Sequence, residues 1–288
     1  MLKRQRVLLR LLHQADRKTV SRMELTKWCF LLRQETPSCG GSAFYDFVPY
    51  QYGPFSFSIY QELEKLVSQS YIETPDDQTL KLTELGSAEA TVPADVSRDV
   101  NRITRRFAGC STGKLLDYVY ESYPTFTVNS VRKQLVKRPK TDTRVYTAGY
   151  EGCSVDKFLS LLVESGIERL IDVRMNPIAR RYGFHKSTLN RLCGKLNIEY
   201  VHVPELGIRS DKRQELDTQA DYDALFADYE RTTLKKESGA IQKVAALMHE
   251  KPSVLVCMEA EPCCCHRLRL ANSVASLTGL EIVNLRAK

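Results

Sequence analysis

RVYTAGYEGCSVDKFLSLLVESGIERLIDVR, residues 144–174, decides the fold. Two short apolar runs, RVYTAGY and IERLIDVR, flank SVDKFLSLLVESG. The middle piece repeats its apolar residues at helical spacing, with Ser154 where an N-cap belongs and Gly166 just past the end. Strand, helix, strand predicts parallel pairing through a crossover. The pattern continues outward. KSTLNRLCGKLN (186–197) reads as a helix, IEYVHVP (198–204) as a strand and 221–249 as long and helical. SVLVCME (253–259) is the most apolar strand, HRLRLANSVASLTG (266–279) a helix and EIVNL (281–285) the last strand. The expected fold class is α/β, a doubly wound, mostly parallel, Rossmann-like sheet of about five strands.

Upstream, the pattern changes. VLLRLLHQA (7–15), MELTKWCFLLRQ (23–34), FSIYQELEKLVSQSYI (57–72) and LLDYVYESYP (115–124) carry helical periodicity, the last ended at Tyr123 by the following proline. TPDDQ followed by LKLTELG reads as a small hairpin, giving a mainly helical, winged-helix-like unit. VRKQLVKRPKTDTR (131–144) has six basic residues and one acid and contains Pro139, the signature of an exposed joint. The expected organisation is a recognition domain over 1–130, a basic linker over 131–142 and an α/β catalytic domain over 143–288.

Composition narrows the class. The 288 residues are 43% hydrophobic and 27% charged, which suits two soluble domains. No apolar run is long enough to span a bilayer, so no membrane partner is expected. A net charge of +7 tilts the partner toward polyanions. The charged start, MLKRQRVLLRLLHQADRK, lacks a small-residue cleavage site. Together with nine cysteines in no disulfide-like spacing, it predicts a reduced, cytoplasmic protein.

In an open parallel sheet, ligands bind beyond the carboxyl ends of the strands. Those ends carry Gly149 and Tyr150, then Asp172, Arg174, Asn176 and Pro177, then His202 and Glu205, then Cys257 and Glu259. Asp172 and Glu259 are candidate carboxylates for acid–base work or for stabilising an oxocarbenium ion. The plainer alternative pairs Asp172 with Arg174 or Arg267. CCCHR (263–267) opens a helix directly after a strand, where a thiolate is activated or an anion is held. His266 is a catalytic candidate, and Cys257, Cys265 and Arg267 are candidate substrate contacts. Cys257, Cys265 and His266 are donor types suited to zinc. No second CxxC or HxxxH pair accompanies them, so neither metal nor cofactor is expected. RMNPIARRYGFHKSTLNR (174–191) interleaves Arg180, Arg181, Lys186 and Arg191 with Tyr182, Phe184 and His185, a pattern suited to phosphate contact with base stacking. Arg209, Lys212 and Arg213 extend the charge.

Two resemblances accompany these readings. TAGYEGCSVDKFLSLLVESGIERLIDVRMNP, NIEYVHVPELG and VLVCMEAEPCCCHRLRLA resemble the domain-of-unknown-function family four-eight-eight over about 143–288. The resemblance implies the fold and maps the family's motif positions onto Gly149, Asp172, Arg174, Pro177, Glu205, Leu206, Gly207, Cys257, Glu259, Cys265, His266 and Arg267. FVPYQYGPFSFSIYQELEKL (47–66), LTELG and YVYESYPTFTVNS (118–130) are similar to the Panacea domain, a helical module associated with antitoxins and mobile elements. That resemblance implies recognition of nucleic acid or of a protein partner through 1–130.

A pocket of Asp, Glu, His and Arg beside a basic, aromatic lip fits a DNA-acting hydrolase. The expected reaction is of the DNA glycosylase type: cleavage of the N-glycosidic bond of a plain or modified base, with phage defence as the expected setting. The alternatives are a cysteine-dependent thiol enzyme and a non-catalytic DNA-binding or antitoxin-type regulator.

Overall fold

The computed structural model describes residues 1–209, 212 and 216–286. The chain divides into two compact units, Met1–Lys137 and Arg138–Lys288. The boundary falls inside the basic segment. Leu135 N–H bonds the Thr127 hydroxyl in the first unit, while the Arg138 guanidinium clasps the carbonyls of Ile167 and Leu196 in the second.

The first unit runs α1 (Lys3–Gln14), β1 (Val20–Ser21), α2 (Arg22–Glu35), β2 (Val48–Tyr50), β3 (Gly53–Phe55), α3 (Phe57–Ser68), β4 (Ile72–Glu73), β5 (Thr79–Leu82), α4 (Glu84–Ala88), α5 (Ala94–Phe107) and α6 (Thr112–Ser122). A small antiparallel sheet has the order β1-β5-β4, and β2 and β3 form a separate hairpin. α2 is the core helix: Leu25, Trp28, Cys29, Phe30, Leu31 and Leu32 are all fully buried. A capping box fixes its start, with the Ser21 hydroxyl accepting from Glu24 N–H and the Glu24 carboxylate accepting from Ser21 N–H. The aromatic run at 44–60 is largely core, with Phe44, Tyr45, Phe47 and Phe57 buried. Gly53 turns the β2–β3 hairpin at φ +82°, and a Cβ there would lie 2.9 Å from Tyr120 Cε1.

Against that apolar background sits Lys27, only 2% exposed, whose Nζ donates to the Pro54 carbonyl at 2.7 Å. Burial pushes its pKa down from 10.5 to about 7. Below that value, folded and unfolded chains both hold the proton, and the folded state carries the whole penalty of a buried charge. Between about 7 and 10.5 the unfolded chain binds more protons, so stability rises with pH, by at most ~1.4 kcal/mol per unit. The thermal midpoint of the first unit is therefore expected to climb as pH is raised through this window, and Lys27→Met to flatten the climb. Parallel pH profiles for the two proteins would exclude Lys27 as its source.

The second unit alternates strand and helix: β6 (Val145–Gly149), α7 (Val155–Glu164), β7 (Arg169–Asp172), α8 (Lys186–Lys195), β8 (Glu199–His202), α9 (Gln219–Tyr229), α10 (Ser238–Glu250), β9 (Ser253–Cys257), α11 (His266–Thr278) and β10 (Ile282–Leu285). A π-helical turn, Glu230–Leu234, separates α9 from α10 inside the stretch expected to be one long helix. Ser154 caps α7 through Lys157 N–H, and Gly166 follows its end at φ +70°. The five strands form one parallel sheet in the order β10-β6-β9-β7-β8. The central strands β7 and β9 are buried at every position, as a parallel sheet covered on both faces requires. Val145, Ile171 and Leu255 pack with Val244, Met248, Leu270 and Val274 of α10 and α11 in one core cluster. No helix among the described residues is long and apolar enough to cross a membrane.

Candidate functional site

Parallel pairing brings the strand ends to one edge. In register, Gly149 lies opposite Cys257, and Asp172 lies opposite both His202 and Val256. The strand-end residues on this edge divide into two groups with different chemistry.

The first group is a closed ion-pair hub at the end of β7. Asp172 is 0% exposed and Arg174 7%. Asp172 Oδ1 accepts from Arg174 N–H at 3.1 Å and from Arg174 Nε at 2.8 Å. Oδ2 accepts from Arg174 Nη2 at 2.5 Å and from the Tyr200 hydroxyl at 2.6 Å. Burial and the charge of Asp172 together push the Tyr200 hydroxyl pKa up, which keeps it a donor. Arg174 spends its Nη1 on the Tyr150 hydroxyl at 2.8 Å and the Phe184 carbonyl at 2.9 Å. The Tyr150 and Phe184 rings stack at 4.1 Å and 11°. His202 Nε2 donates to the Arg174 carbonyl at 2.9 Å, a tautomer set by an acceptor that cannot donate. Sequence reasoning places Asp172 in catalysis and Arg174 on substrate. In the structure the carboxylate's acceptor directions and four of the guanidinium's five N–H donors are spent inside the protein.

The second group surrounds the turn after β9. Its backbone is strapped to the end of β6: Tyr150 and Glu151 N–H both donate to the Met258 carbonyl, at 3.1 and 2.8 Å. Glu151 Oε2 accepts from Ala260 N–H at 3.0 Å. Gly149 permits this approach, since a Cβ there would sit 1.8 Å from the Glu259 carbonyl oxygen. From the other side, the buried Arg267 donates to the carbonyls of Glu259 and Ala260. Arg267 therefore holds the loop rather than a substrate. The turn returns the chain to Cys265 and His266, so Cys257 Sγ lies 3.7 Å and Cys265 Sγ 3.9 Å from His266 Nδ1. His266 Nε2 meets the Val173 carbonyl at 3.3 Å, and its ring meets Tyr229 edge-on. Glu259 is half-buried, with Oε2 3.1 Å from Cys257 Sγ. Burial, then the neighbouring Cys257, pushes the Cys265 thiol well above the usual range, the opposite of an activated nucleophile.

Beside this turn opens a cleft of about 450 Å³, lined by Glu151, Leu216, Tyr222, Leu225, Phe226, Met258, Glu259, Glu261 and Cys264. Its aromatic wall, Tyr222 and Phe226 four residues apart on α9, escapes sequence reasoning, as does Glu151. The only available signal for Glu151 is its place directly after Gly149 and Tyr150. Of the remaining expected residues, Asn176, Arg180, Arg181, Glu205, Arg209 and Lys212 are exposed, and Tyr182 is half-buried. Lys212 pairs with Asp228 at 2.9 Å. Arg213 lies outside the described residues.

Residues 154–274 match the family model described as Domain of unknown function DUF488. The matched span holds Asp172, Arg174, Glu259, His266 and Arg267, whereas Gly149, Tyr150 and Glu151 precede it. No curated protein and no solved structure matches the chain.

Proposed function

We propose that the second unit is a hydrolase that cleaves the N-glycosidic bond of a base, plain or modified, in DNA. The observation that carries this reading is the cleft, whose lining holds the half-buried carboxylate Glu259 together with the half-buried Tyr222, backed by the buried Phe226. A base is a flat ring that stacks on aromatic side chains, and its volume suits such a cleft. The carboxylate beside it is the group that glycosidic cleavage needs, either to draw a proton from attacking water or to offset charge developing on the sugar. Glu259 takes this role. Asp172 is assigned to holding Arg174, and through it the buried Tyr150–Phe184 stack. A thiol mechanism is disfavoured by the burial of Cys257 and Cys265.

The exposed Arg180 and Arg181 supply phosphate contact in this proposal, from the loop after β7 at the same sheet edge. The first unit supplies targeting. Its β1-β5-β4 sheet, with β4 and β5 following α3 as a hairpin, supports the winged-helix reading, while the β2–β3 hairpin between α2 and α3 is an addition to it.

Incubation of the full chain with plain and modified DNA, with released bases and strand breaks read separately, tests the reaction. Released base without nicking is the expected result; nicking without released base would replace it with a nuclease. Binding is tested independently. Arg180→Ala with Arg181→Ala is expected to weaken DNA affinity and to lower the slope of log K against log salt by about two, roughly one per lost phosphate contact. An unchanged slope removes this loop from the interface.

A further inference from the structure

Outside the proposed reaction, one cluster remains without a task. Cys257, Cys265 and His266 are 1%, 1% and 0% exposed, and their Sγ, Sγ and Nδ1 atoms all lie within 4.8 Å of one another. Neither cysteine is in a disulfide. We propose that these three residues bind a thiolate-seeking divalent cation, zinc by its chemistry, and that the ion ties together the two ends of the loop carrying Glu259.

The donor geometry supports this. A tetrahedral zinc with bonds of about 2.3 Å to sulfur and 2.0–2.1 Å to nitrogen has S···N edges of about 3.6 Å. The two edges to His266 Nδ1 are 3.7 and 3.9 Å, so the site needs only a small contraction to close on an ion. The imidazole is already set for it. The Val173 carbonyl can only accept, so the proton sits on Nε2, and the Nδ1 lone pair faces the two sulfurs. A backbone carbonyl on the distal nitrogen is the usual outer partner of a metal-bound histidine. Two sulfurs and one imidazole select zinc over oxygen-seeking ions such as magnesium or calcium. Binding displaces the two thiol protons to solvent, leaving a neutral set of one dication and two thiolates.

Sequence spacing hides the site because Cys257 ends a strand while Cys265 and His266 open a helix. What joins them is the fold-back of 258–264, held by Gly149 on one side and Arg267 on the other. Three protein ligands leave a fourth vertex for water or a substrate atom. Glu259 Oε2, 3.1 Å from Cys257 Sγ, is a carboxylate at the edge of the cluster. This inference stands apart from the glycosidic reading, since it rests on the cluster and not on the cleft.

The test uses the full chain, stripped with chelator, reloaded with zinc or cobalt and freed of excess ion by gel filtration. The expected result is one metal per chain. The cobalt form should show a thiolate charge-transfer band in the near ultraviolet and the intense visible bands of a tetrahedral site. Cys257→Ser and Cys265→Ser should each lose affinity by more than the ~10–100-fold typical of an outer-shell change, while Cys263→Ser and Cys264→Ser keep it. The wild-type cobalt spectrum needs no variant, so misfolding of a mutant cannot obscure the answer. Wild-type protein that retains no metal, or retention undiminished in both Cys257→Ser and Cys265→Ser, overturns the proposal. Metal content is read without substrate, so a loaded chain that releases no base would sink the hydrolase reading alone.

Discussion

Glu259→Gln is expected to cut the rate of base release by about 10²–10⁴-fold while leaving the thermal midpoint of the second unit where it was. The amide keeps the size of the side chain and its place on the cleft wall, but it can neither take a proton nor offset positive charge on the sugar. The side chain is half-buried, and the loop under it is held by backbone contacts to β6 and by Arg267, so the substitution has little fold to disturb. DNA affinity should change little. A Glu259→Gln protein that turns over at the wild-type rate would remove this carboxylate from the chemistry.

Asp172→Asn should behave in the opposite way. It strands the Arg174 guanidinium, 7% exposed, without its counter-charge. Breaking a buried pair by removing one partner costs about 3–5 kcal/mol. For a domain of this size that lowers the midpoint by about 10 °C. Loss of activity would follow from loss of structure, through the Tyr150 hydroxyl and Phe184 carbonyl that Arg174 joins. Replacing both partners by apolar residues, Asp172→Leu with Arg174→Met, should recover much of the stability, since a well-packed apolar pair often matches a buried ion pair. The decisive contrary outcome is an Asp172→Asn protein that melts like wild type and is catalytically dead. It would return Asp172 to the reaction.

The α/β fold of the second unit was legible because its strands are short, apolar and bounded by turn residues, and because Ser154 and Gly166 mark both ends of α7. α5 is absent from that reading although Val96, Val100, Ile103 and Phe107 recur at helical spacing and line its buried face, because charged and polar residues fill every position between them. The sheet edge bearing the site was also legible, because a parallel arrangement fixes which strand ends meet. The division of labour on that edge was not. A carboxylate at a strand end looks the same in sequence whether its acceptor positions are open or consumed, and only the Arg174 and Tyr200 contacts distinguish the two for Asp172. The cleft wall was hidden for a different reason. Tyr222 and Phe226 reach it from a helix that contains none of the motifs, and nothing in local periodicity says which face of α9 meets the β9 turn.

The strand order has a consequence for how the chain is made. β9 lies between β6 and β7, yet it is the fourth of the five strands to be synthesised. Until Ser253–Cys257 emerges, β6 has no neighbour and the β7–β8 pair ends in an apolar, unpaired edge. The sheet therefore closes late, through contacts between segments far apart along the chain, which favours slow folding and a nascent state that other chains can stick to. A ribosome that stops before Ser253 releases two exposed sheet edges rather than a smaller domain.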